Sequence, residues 1–298
     1  MKTLFLSLVI STLLSLSLSK ELCNSQDKKL SVIDSTSSRI ISLTIFAGNL
    51  SGQIPAAVGD LPYLQTLVFR KLTDVTGPIQ PAIAKLVHLN FLRLDRLNLT
   101  GTVPGFLSKL QKLTFLDLSF NGLSGSIPSS LALLPNLDAL HLDRNRLTGS
   151  IPESFGTFKG SVPGLYLSHN QLTGEIPASL GNIGFKVIDL SRNKLVGDAS
   201  MLFGLNKTTQ NVYLSRNILK FNLSNVVFPS GLENLDISHN KIFGSIPPQM
   251  TQIPLQSLNM SYNRLCGQIP VGGKLQSFDY STYFHNRCLC GVPLENCK

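Results

Sequence analysis

Between Leu113 and Pro128 the chain reads LTFLDLSFNGLSGSIP. Leu113, Leu116 and Leu118 have the spacing of a short strand that buries one face. Asn121, Leu123, Gly125, Ile127 and Pro128 follow at fixed offsets. So short a unit cannot bury its own leucines and is stable only between copies of itself.

Copies run through most of the chain. Their central apolar residues are Leu43, Leu67, Leu92, Leu116, Leu140, Leu165, Ile188, Val212, Leu235 and Leu258, in steps of 23 to 25 residues. Asparagine stands five positions on at Asn121, Asn145, Asn170, Asn193, Asn217, Asn240 and Asn263. Glycine nine positions on and an Ile-Pro or Val-Pro pair close most units, as at Gly101 and Val103-Pro104. The period is that of leucine-rich repeats. The leucines stack into one core, and the asparagines satisfy backbone groups where the chain leaves the strand. Glycine permits the bend, and proline fixes a turn that needs no donor. The pattern predicts an α/β fold: a right-handed leucine-rich-repeat solenoid of about ten repeats, a parallel sheet on the concave face and short 3-10 or helical turns on the convex face. A periodic β-sandwich is excluded by spacing this long and regular.

Residues 1–19 read as a signal peptide, with Lys2, an apolar run from Leu4 to Leu18, and Ser17-Leu18-Ser19 as cleavage pattern. No later segment is long and apolar enough to span a bilayer. Residues 20–38 form a short N-terminal cap, residues 39–270 the repeats and residues 271–298 the C-terminal cap. Sequons at Asn49, Asn98, Asn206, Asn222 and Asn259 predict a glycoprotein, with Asn259 the least suited because it falls within a strand. Cys266, Cys288, Cys290 and Cys297 predict two disulfides, Cys266 with Cys288 and Cys290 with Cys297, which leaves Cys23 as an unpaired thiol. The formal charge is +9, and a secreted basic protein points to an acidic extracellular partner before nucleic acid.

No catalytic constellation, phosphate loop, cofactor motif or metal-ligand spacing stands out, so the expectation is binding, without a cofactor and without catalysis. Strand residues beside the buried leucines point outward and form columns across strands about 4.8 Å apart. One position after the central residue, the column includes Arg93, Asp117, His141, Tyr166, Asp189, Tyr213, Asp236 and Asn259. Three positions after, it includes Asp95 and Asp143, and four positions after it becomes a basic ridge with Arg96, Arg144, His169, Arg192 and Arg216. Exposed Tyr, Phe and Arg are also the residue types of binding hot spots.

The stretches GPIQPAIAKL, LDLSRNKLVGDASMLFGLNKTTQ, SYNRLCGQIPVGGKLQSFD and HNRCLCGVPL resemble plant polygalacturonase-inhibiting proteins. That resemblance covers nearly everything from Arg39 to Lys298. It implies a secreted cell-wall protein that binds endopolygalacturonases of fungi or insects on its concave face and blocks pectin cleavage. The matching acidic and polar positions are Asp117, Asp143, Asp189 and Gln210, joined by His141, Tyr166, Asp95 and Asp236 from the columns. Pectin (homogalacturonan) contacts match Arg192 and Arg216, with Arg144 and His169 on the same ridge. The implied mechanism is occlusion of a substrate cleft, tuned by charge complementarity.

The chain departs from the family at the N-terminal cap. Glu21-Leu22-Cys23-Asn24 resembles the start of a longer cap and Asp34-Ser35-Thr36 its end, while Ile33 stands where a cysteine is expected and Trp is absent. A cap this short predicts a poorly covered leucine edge on the first repeat. Alternatives are a soluble receptor-like module binding a peptide or pectin fragment, a poorly active truncated variant, and an ice-binding relative. The last would need flat arrays of Thr or Asn, and the columns are charged and mixed.

Overall fold

The computed structural model describes residues 32–33, 39–48, 50–159 and 164–297. The proposed leader, Cys23 and Asn49 lie outside the described residues. Two compact units are present, Met1–Leu147 with Phe158–Ser161, and Thr148–Thr157 with Val162–Lys298.

In the first unit the strands Ile40–Phe46, Thr66–Arg70, Phe91–Asp95, Phe115–Asp117 and Ala139–His141 run parallel in chain order. The register sets each repeat centre against the next: Leu43 against Leu67, Leu67 against Leu92, Leu92 against Leu116 and Leu116 against Leu140. The second unit repeats the arrangement with Gly164–Tyr166, Val187–Asp189, Asn211–Tyr213, Asn234–Asp236 and Ser257–Asn259. Its centres align in the same way, from Leu165 with Ile188 to Leu235 with Leu258. All ten central residues are buried, and burying one leucine is worth about 1.5–3 kcal/mol. The fold is a leucine-rich-repeat solenoid, and no α-helix occurs among the described residues.

After each strand the chain turns, and in many coils a proline leads into a single 3-10 turn. Ala56–Asp60, Gly105–Lys109 and Ser129–Leu133 in the first unit follow Pro55, Pro104 and Pro128. Ala178–Asn182 and Pro248–Gln252 in the second follow Pro177 and Pro247. Successive turns pack closely. A Cβ at Gly59 would lie 2.3 Å from the Ala82 carbonyl oxygen, so glycine is required there by contact alone.

The asparagines tie coil to coil. Asn145 Nδ2 donates to the carbonyls of Leu118, one coil back, at 3.0 Å and of Leu142 in its own coil at 3.1 Å. Its Oδ1 accepts from the Leu123 amide at 3.0 Å. Asn217 repeats the set with Leu190, Leu214 and Leu195 in the second unit. The position is Leu72 and Leu97 in the second and third repeats, where the side chain joins the core. The pattern also runs past residue 270: Asn286 bonds Met260, Tyr283 and Leu265 in the same way, inside the C-terminal cap. That cap is closed by disulfides Cys266–Cys288 and Cys290–Cys297, and the buried Tyr283 hydroxyl donates to the Leu275 carbonyl at 2.8 Å.

The expectation of a poorly covered first edge falls on cap residues 20–38, of which only Val32–Ile33 lies among the described residues. Leu43, Ile45, Ile54 and Val58 of the first coil are at most 5 % exposed, and Val32–Ile33 pairs antiparallel to the first strand. That pairing satisfies backbone groups along the edge of the sheet. Among the described residues no helix is long and apolar enough to cross a membrane.

Candidate functional site

The outward face of each sheet carries the candidate site. Side chains alternate along a strand, so Leu116 enters the core while Phe115 and Asp117 point the other way.

In the first unit, adjacent strands place Arg70 opposite Asp95 and Arg93 opposite Asp117. Arg93 Nε lies 2.9 Å from Asp95 Oδ1 and 3.0 Å from Asp117 Oδ2. Arg70 Nε lies 3.2 Å from Asp95 Oδ2. Asp117 Oδ1 also accepts from the Ser119 amide and hydroxyl, at 3.0 and 2.7 Å. Asp95 and Asp117 are 1 % and 2 % exposed. This corrects the sequence reading, in which both carboxylates face a partner. The cause is cross-strand pairing: the arginine one strand back folds over the carboxylate and neutralises it. Asp143 is more open, with His141 Nδ1 3.7 Å from its Oδ1.

In the second unit the corresponding carboxylates keep the serine contacts but lack the arginine. Asp189 Oδ1 accepts from the Ser191 amide and hydroxyl at 3.0 and 2.7 Å, and Asp236 Oδ1 from the Ser238 amide at 3.0 Å. Neither has an ion pair among the described residues. Tyr213 stands between them in register, with Tyr166 beside Asp189. Burial raises the Tyr213 pKa above the usual phenol value, and the two carboxylates push it the same way, so its hydroxyl stays a donor. Gln210 lies outside this column; its carbonyl accepts the Glu233 and Asn234 amides at 2.8 and 3.0 Å.

The basic ridge has a backbone cause that the residue pattern does not announce. Lys71, Arg96, Phe120, Arg144, His169, Arg192, Arg216, His239 and Tyr262 all have φ between 53° and 55°. This is the left-handed region, which costs a non-glycine residue roughly 1–2 kcal/mol. Within each unit the reversal turns the amide onto the next coil: Arg96 donates to Ser119 at 3.2 Å, Arg192 to Ser215 at 2.7 Å and Arg216 to Ser238 at 3.0 Å. Side chains along the ridge stack. Arg96 and Arg144 sit 3.7 and 4.9 Å from the Phe120 ring centroid, a cation–π sandwich in the first unit. In the second unit Tyr262 is stacked between His239 at 4.1 Å and His285 at 4.4 Å.

One column went unread in the sequence. One position before the central residue, Phe91 and Phe115 stack on the outward face with centroids 4.3 Å apart and planes 2° from parallel. Phe91 and Phe115 each stand directly before a repeat centre, Leu92 and Leu116, so the repeat spacing carries this column too. The sequons are scattered: Asn98 and Asn206 are exposed, Asn222 caps the turn Leu223–Asn225, and Asn259 lies on the sheet face with Oδ1 held by Ser261. Among the described residues no cluster of side chains suits a metal ion.

The Leucine Rich Repeat family model matches residues 112–134, 136–158, 164–183, 231–253 and 254–273. A polygalacturonase inhibitor of Pyrus communis is 76 % identical over 265 residues, covering 89 % of this chain and 80 % of that protein. This chain belongs to the polygalacturonase-inhibitor family. Polygalacturonase inhibitor 1 of Arabidopsis thaliana is 60 % identical, covering 98 % of this chain and 97 % of the relative. As a member of a family of inhibitors, the chain is a binding protein and not an enzyme. Among solved structures, a plant ice-binding protein shares the fold with a TM-score of 0.91 at 48 % identity, over 100 % of this chain and 97 % of that one. The ectodomain of the Arabidopsis receptor kinase HAESA, in complex with the peptide hormone IDA and the co-receptor SERK1, gives 0.74 at 31 %, over 84 % and 42 %.

Proposed function

We propose that this family member is a secreted inhibitor located in the plant cell wall. It binds microbial or insect endopolygalacturonases with the outward face of its parallel sheet and limits pectin cleavage in defence. The observation that carries this reading is the run Asp189, Tyr213, Asp236 on adjacent strands, whose carboxylates have no ion pair among the described residues. Such a column offers charge to a basic enzyme surface and a tyrosine as anchor, and a bound scaffold of this size occludes the cleft without chemistry. In the first unit, His141 and the partly open Asp143 offer an acidic contact of their own.

The exposed ridge arginines Arg144, Arg192 and Arg216, with His169, support contact with de-esterified pectin, whose uronate carboxylates they complement. Secretion rests on the leader at residues 1–19, and the shortened cap on residues 20–38. A second Arabidopsis inhibitor aligns over 328 positions with the 298 residues here, so that relative carries segments this chain lacks. The outward columns carry charge and aromatic rings in place of flat arrays of Thr or Asn, which favours inhibition over ice binding.

The deciding experiment is inhibition of pectin hydrolysis by purified secreted protein against a panel of fungal and insect endopolygalacturonases. Inhibition that weakens in Asp189→Asn supports the assignment. Failure to slow any enzyme of the panel overturns it.

A further inference from the structure

The sheet face of the first unit around Phe91 and Phe115 differs in chemistry from the acidic column of the second unit. Phe91 and Phe115 stand half-buried on adjacent strands, with Val68 and Arg93 next in register. The carboxylates around them are buried, with side chains 2 % and 3 % exposed, while the Arg70, Arg93 and Arg96 side chains are 31 %, 27 % and 41 % exposed. What a partner meets is therefore an apolar aromatic pair rimmed by positive charge.

We propose that this face is a second, independent anchor for the polygalacturonase, taking an apolar side chain of the enzyme that has a carboxylate beside it. The inference rests on the inhibitor reading and adds the chemistry of a contact that the acidic column does not supply. Ring geometry selects a protein over a polysaccharide. A sugar stacks on an open ring face, but each of these rings turns one face to the other, and His141 tilts over Phe115 at 5.4 Å. Their edges point outward, which suits a wedged aliphatic or aromatic side chain. Charge selects the neighbour: the exposed guanidiniums favour an acidic rim.

The test is association and dissociation kinetics of immobilised full-length protein with an endopolygalacturonase that it inhibits. Phe115→Ala should raise the dissociation rate about tenfold, as loss of an aromatic anchor does. Lys71→Glu, at the exposed rim, should slow association several-fold at low salt and little at high salt. Phe115→Leu controls for folding, since it keeps apolar volume while removing the ring, and the melting temperature is read for each variant. If both Phe115 variants dissociate like the parent while Asp189→Asn weakens binding, this proposal falls and the inhibitor reading stands. If the Phe115 variants instead lose binding of oligogalacturonate with enzyme kinetics unchanged, the face belongs to the polysaccharide and the proposal falls. A parent protein that binds no enzyme of the panel overturns both.

Discussion

Arg93 Nε lies 3.0 Å from Asp117 Oδ2, and the aspartate is buried beneath it. A residue chosen from its column as a partner contact is thus also a structural ion pair. Arg93 keeps Asp95 when Asp117 is lost, but a cation put in place of the buried carboxylate is itself unpaired, at about 3 kcal/mol or more. Asp117→Lys should therefore lower the melting temperature and secretion sharply, because the new ammonium faces Arg93. Asp189→Asn should leave melting nearly unchanged and act on inhibition alone, because Asp189 faces no cation within ion-pair distance. Thermal melts of both variants beside their inhibition curves separate the roles; equal melting losses would show that the two carboxylates share one environment.

The asparagine ladder predicts a second loss. Asn217 is 9 % exposed and bonds the carbonyls of Leu190 and Leu214 and the amide of Leu195. Asn217→Ala leaves the Leu195 amide unpaired and takes one of two donors from the Leu190 and Leu214 carbonyls, which Asn193 and Asn240 still serve; the stranded amide costs about 1–3 kcal/mol before relaxation. Denaturant unfolding should show the midpoint shifted to lower denaturant, by more than an exposed surface substitution shifts it. A shift no larger than that of a surface variant would mean that water replaces the amide.

The ridge predicts the opposite sign. Arg216 occupies the left-handed region with its side chain exposed. Asparagine tolerates that conformation better, so Arg216→Asn should be neutral or stabilising while binding of de-esterified pectin falls. Arg216→Ile should destabilise by about 1–2 kcal/mol, since a β-branched residue there is strained. Calorimetry and pectin co-sedimentation on the pair read the two effects apart.

A pH dependence follows from His239. Burial lowers its pKa from 6.5, and Arg216, Arg192 and His285 add to the lowering while Asp236 opposes it. The unfolded chain therefore binds this proton first. Stability is full above the unfolded value of 6.5 and falls as pH drops below it, until the folded imidazole also titrates. His239→Asn should flatten the fall in melting temperature between about pH 7.5 and pH 5. A slope identical to the parent's would assign the dependence to other groups.

Much of this fold is legible without coordinates. The repeat spacing around Leu116 fixes which residues enter the core, and Asn145 and Asn217 sit at their offsets because the turn needs the same amide each time. Columns such as Asp189, Tyr213 and Asp236 follow from alternation along a strand. Tertiary structure alone decides which members of a column remain available. Asp117 and Asp189 occupy the same column with the same serine two positions on, yet only Asp117 has an arginine on the preceding strand to cover it. The left-handed ridge and the Phe91–Phe115 stack are of the same kind. Sequence sets the order of side chains along each strand, whereas pairing across strands depends on how far each side chain reaches and on which neighbour the register brings opposite it.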